Sequence, residues 1–218
     1  MIFDSRKKFL LVLTIALFYT ALSLVYSLIG FLYYQPGSHY HEYALGKLAI
    51  EVAGHYLFGF LAALPLLDLD IALMTGALAI LIDADHILSA LNFDVSGRPD
   101  HSILYLIVST ALVIYVAVRM KVSTKLLTKL AFVGPITLFA HLAYDVFAAS
   151  GSTFQLFIPF SFQEVVFPDY SWMILEGVAL LLSVAGLYLS KKYPDRISPQ
   201  VRGELAQPGR DPRVLKKR

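Results

Sequence analysis

No cysteine occurs in the 218 residues, so disulfides and thiolate metal centres are excluded, and any metal must be held by histidine and carboxylate. Charge is scarce as well. Asp, Glu, Lys and Arg make up 16% of the chain, against about 25% in ordinary soluble domains. The net charge of +2 is uninformative as a total, unlike its distribution, and no nucleic-acid partner is expected. What is abundant is apolar surface: 57% of residues are hydrophobic, which points to a membrane protein.

A membrane span needs about 20 mostly apolar residues. Six stretches qualify: 9–34, 48–67, 71–91, 102–118, 130–149 and 172–190. The first follows Arg6, Lys7 and Lys8, as a signal peptide does, but its apolar run is too long for one. It reads as an uncleaved helix ending in interfacial aromatics, Phe31, Tyr33 and Tyr34. With the N-terminus inside, sixteen Lys and Arg fall on inner segments, and only Lys47 and Arg98 fall outside. That asymmetry predicts a multi-pass protein of the cell membrane with both termini cytoplasmic. The expected fold is all-α, a bundle of about six transmembrane helices over residues 1–190, followed by a basic, disordered cytoplasmic tail at 191–218. Residues 151–170, aromatic and broken by Gly and Pro, are too interrupted to span. They read as an interfacial or re-entrant segment walling the polar residues, or as an amphipathic loop on the headgroups.

The polar residues are not scattered. On this topology Glu51, His55, Asp83, Asp85, His86, His101, His141, Asp145 and Glu176 all fall toward the outer ends of their helices. Glu51 and His55 are four apart, as are His141 and Asp145, and Asp83 and His86 are three apart, so each pair shares a helix face. Carboxylate and imidazole one turn apart present two ligands to one cation, and zinc, manganese and iron all accept such a site. A carboxylate can instead stand behind a ligating histidine and fix its tautomer.

Taken singly, each of these residues has a plainer reading as one end of an interhelical hydrogen bond. Taken together, they amount to a concentration of costly groups that a cation would neutralise. His39 and His41 read as solvated loop residues, and Asp68 and Asp70 as a turn between spans on the inner side. Arg98 reads as a phosphate clamp, a headgroup anchor, or a charge partner of Asp94 or Asp100.

Four blocks give the chain a resemblance. They are His55 in "EVAGHYLFG"; "DADH" at Asp83, Asp85 and His86; "RPDHS" at Arg98, His101 and Ser102; and His141 with Asp145 in "HLAYDVFAASGSTFQLFIPFS". In this order they resemble the YdjM-like family of predicted inner-membrane, metal-dependent hydrolases, over roughly residues 50–162. Gly97 stands where that family commonly has histidine, and Asp100 where it has threonine. The resemblance implies one or two divalent ions, zinc first, held by His55, Asp85, His101, His141 and Asp145. Asp83 or His86 would orient or deprotonate a water, with Glu51 in reserve as base. Arg98, Asp100 and Ser102 would meet the substrate, a membrane lipid ester or phosphodiester entering near the outer leaflet. Two other readings stay open: a transporter of metal or protons, disfavoured by inner half-spans poor in ionisable groups, and a non-catalytic protein with a degenerate site.

Overall fold

A computed structural model describes residues 5–32, 45–84 and 98–193. Among the described residues seven α-helices dominate: α1 (Ser5–Leu32), α2 (Leu45–Ala63), α3 (Leu69–Ile82), α4 (Ile103–Arg119), α5 (Thr124–Leu130), α6 (Val133–Ala149) and α7 (Ser171–Lys192). The chain is mostly helical, as expected. Between α6 and α7 lies a small antiparallel ladder, β1 (Ser152–Phe154) on β2 (Val165–Phe167), with Thr153 opposite Val166. The segment expected at 151–170 is therefore built partly as a β-ribbon.

Among the described residues, four stretches are long and apolar enough to cross a membrane: Arg6–Ile29, Ala49–Leu66, Thr124–Ala149 and Ser171–Lys192. The third and fourth expected spans contain shorter apolar helices, α3 with 14 residues and α4 with 17. A rise of about 1.5 Å per residue leaves both short of a ~30 Å hydrocarbon core. Most of the second half of the span expected at 71–91 lies outside the described residues, as do Tyr33, Tyr34, His39, His41 and the tail from 194.

The helix faces show what kind of solvent this fold meets. In α1, Leu11, Ile15, Tyr19, Ser23 and Ser27 recur every four residues and are buried, while Phe9, Leu17, Phe18 and Val25 stand exposed. In α7 the buried stripe is Ser171, Leu175, Ala179, Ser183, Gly186 and Ser190, and the exposed residues include Leu181, Val184 and Tyr188. Small and hydroxyl-bearing residues take many of the inward positions, and many large apolar ones face out. That reverses the soluble pattern and suits helices that pack by close approach in lipid.

Helices α2 and α3 approach closely, backbone to backbone. A Cβ on Gly59 would come 2.9 Å from the Ala79 Cβ and 3.0 Å from the Thr75 carbonyl oxygen, and one on Gly76 would come 2.8 Å from the Tyr56 carbonyl oxygen. The two helices run antiparallel, so four residues back along α2 from Gly59 and four forward from Ala79 bring His55 level with Asp83. Helix α6 packs against α2, α3, α4 and α7 and completes the core with Val133, Ile136, Ala140, Ala143 and Val146.

Candidate metal centre

The site begins where α3 ends. Asp68 opens that helix, its Oδ1 accepting from the Ile71 N–H, and Asp83 closes it. The Asp83 N–H turns back to the Ile80 carbonyl at 3.2 Å instead of bonding Ala79. Tightening the last turn in this way takes the usual helical partner from the Ala79 carbonyl. That carbonyl receives the His141 Nδ1–H at 2.8 Å, and the Ile82 carbonyl accepts the hydroxyl of Ser23 from α1. A carbonyl can only accept, so His141 carries a proton on Nδ1 and turns its Nε2 toward the interior.

His101 is fixed in the same sense by a carboxylate. It lies in a 3-10 turn, Pro99–His101, and its Nδ1 is 2.7 Å from Asp100 Oδ1. Asp100 is fully buried, with Ser23 Oγ 3.4 Å from its other oxygen. The Phe154 ring stacks on His101 with centroids 5.5 Å apart, so β1 forms one wall of the site. On α2, His55 stacks on His141 at 4.0 Å and meets the Tyr144 ring edge-on at 4.6 Å.

Five side chains from α2, α6, the end of α3 and the 3-10 turn thus face one another. His55 Nε2 is 3.0 Å from Asp83 Oδ2 and 3.4 Å from Asp145 Oδ1. His141 Nε2 is 3.4 Å from Asp83 Oδ1 and 3.6 Å from Asp145 Oδ2. Ligand atoms of His55, Asp83, His141 and Asp145 all lie within 4.8 Å of one another, and this buried group can hold a metal ion. His101 stands beside it, with Nε2 3.2 Å from Asp145 Oδ2 and 2.8 Å from His141 Nε2. Two imidazole nitrogens this close repel unless a proton or a cation lies between or beside them, so the donor set fits a cation.

The arrangement differs from the expected one in particular residues. His55, His141 and Asp145 come together as expected. Asp83, expected to handle water, supplies one of the four mutually close ligand atoms. Asp85 and His86 lie outside the described residues. Asp94, one expected partner of Arg98, also lies outside them, and the ion pairs of Arg98 among the described residues are with Asp83 and Asp145. The Arg98 Nη2 is 2.9 Å from Asp83 Oδ1 and its Nη1 is 2.7 Å from Asp145 Oδ2. Asp100 serves His101, and Ser102 caps α4, its Oγ accepting from the Tyr105 N–H at 3.2 Å. Glu51, one turn before His55, is half-buried and is not one of the four. Sequence reasoning missed Ser23, Phe154 and the Ala79 carbonyl. None carries a charge, and only the fold brings them to the site.

The chain matches no protein-family model, no curated protein and no solved structure.

Proposed function

We propose that the protein is a membrane-embedded, metal-dependent hydrolase acting on a lipid-like ester or phosphodiester, as its motif resemblance to the YdjM-like family implies. The observation that carries this reading is the inward focus of His55, Asp83, His141 and Asp145, with the far nitrogen of His141 already committed to a backbone carbonyl. A histidine whose outer N–H is bonded and whose other nitrogen faces inward is prepared as a ligand.

His55, Asp83, His141 and Asp145 would hold a divalent cation, zinc first, which when bound would supply Lewis acidity and lower the pKa of a bound water toward neutrality. The chain's own groups do the rest. Asp100 fixes the His101 tautomer, so His101 Nε2 is the atom that takes up a proton from the attacking water and returns it to the leaving group. Arg98 neutralises the oxygens of Asp83 and Asp145 that face away from His55. Phe154 covers His101 and keeps water from its far face. With the N-terminus inside, as the basic residues favour, the site lies toward the outer leaflet and a lipid reaches it sideways.

The test is metal analysis of full-length protein purified in detergent, followed by turnover of phospholipids and generic phosphodiesters with and without chelator. Stoichiometric metal and chelator-sensitive hydrolysis are expected. A metal-free protein after zinc-supplemented preparation overturns the reading, and metal without turnover favours a binding protein.

A further inference from the structure

Asp83 and Asp145 each divide their oxygens between two sides. Asp83 Oδ2 and Asp145 Oδ1 face His55, at 3.0 and 3.4 Å. The opposite oxygens, Asp83 Oδ1 and Asp145 Oδ2, face Arg98 at 2.9 and 2.7 Å and His101 Nε2 at 3.8 and 3.2 Å. Two carboxylates that both present one oxygen to each of two positive positions form the frame that bridges paired cations, which in two-metal sites stand about 3.5–4 Å apart. Here one of those positions is filled by a side chain that is always charged.

We infer that the Arg98 guanidinium takes the place of a second cation, so that the centre holds a single ion, among the mutually close ligand atoms of His55, Asp83, His141 and Asp145. This rests on the metal reading of the site and deepens it.

Charge supports the same count. Among the described residues of the cluster, Asp83, Asp100 and Asp145 oppose Arg98 alone, which leaves two negative charges in a buried site when the imidazoles are neutral. One divalent ion cancels these two charges. Geometry adds a steric reason, since both terminal nitrogens of Arg98 already touch the oxygens that a second ion needs. The inference also gives His101 its separate duty. With no ion on its side, its Nε2 is left for proton transfer, held by Asp100.

Removing the guanidinium reopens the second position, with His101 and the two far oxygens as ligands. The experiment uses full-length protein in detergent, freed of metal and reloaded with Mn(II), with the ion count read by elemental analysis and the electronic coupling by electron paramagnetic resonance. Wild type is expected to bind one Mn(II) per chain with an uncoupled six-line spectrum. Arg98→Met is expected to bind two, with an exchange-coupled spectrum, and Arg98→Lys, which keeps one charge, stays at one. Should Arg98→Met fail to fold, Arg98→Gln gives the same reading, because it keeps hydrogen-bonding groups and loses the charge. Two ions in the wild type, or one ion in the neutral variants, overturns the inference while leaving the metal reading intact. No ion in any form overturns both.

Discussion

His141 on α6 gives its Nδ1–H to the Ala79 carbonyl on α3 at 2.8 Å, and that bond exists because the last turn of α3 has released the carbonyl. One hydrogen bond thereby joins two helices, fixes a tautomer and aims a ligand. Several measurable consequences follow from this relationship and its neighbours.

Truncating a ligand removes the metal. His55→Ala and His141→Ala are expected to lower metal affinity by more than the 10–100-fold typical of losing a supporting group. Elemental analysis of the purified variants reads this directly. Stoichiometric metal in both would mean that the four-residue group is not the binding site.

Asp100→Asn separates support from ligation. The substituted amide keeps the shape but loses the charge that holds His101. Turnover is expected to fall roughly 10–100-fold with metal content unchanged. Loss of metal together with activity would make His101 a ligand to the same ion.

Acid releases the metal. Imidazole and carboxylate ligate only when deprotonated, so protons compete with the cation and affinity falls as pH falls. Retention measured by equilibrium dialysis from pH 8 downward should decline monotonically. A rise in retention on acidification would contradict ligation by these groups.

A pair of glycines tests the packing that places His55. A Cβ on Gly54 would overlap the Tyr144 ring, the same ring that braces His55. Gly54→Ala is expected to destabilise by about 1–3 kcal/mol, as overpacking does, and to weaken metal binding. Gly177 has nothing within 4 Å of its added Cβ. Gly177→Ala should be neutral or stabilising, by up to about 1 kcal/mol from helix propensity. Thermal unfolding in detergent compares the two.

The absence of cysteine makes topology simple to map, since each introduced thiol is the sole target of a membrane-impermeant reagent. Lys121→Cys is expected to be protected in intact cells and Phe160→Cys to be labelled. The reverse pattern would place the site toward the cytoplasm.

Much of this site could be read in advance because rare residues in an apolar chain are conspicuous. His55, His141 and Asp145 were legible from one-turn spacing and from the cost of burying them in lipid. The sequence reading gives Asp83 a water-handling duty, and that it caps α3 and joins the four close ligand atoms is visible only in the structure, where α3 stops at Ile82. The partners of Arg98 were hidden for a related reason. Asp83 and Asp145 are 15 and 47 residues away along the chain, and no periodicity joins a turn to another helix.

The sequence by itself determined the solvent, the helical class and the chemical types at the centre, since composition and hydropathy act residue by residue. Which oxygen faces which nitrogen was decided only in three dimensions. The close approach of α2 and α3, the tightened end of α3 and the reach of Arg98 across two carboxylates depend on contacts between segments far apart in the chain, and local pattern carries no record of them.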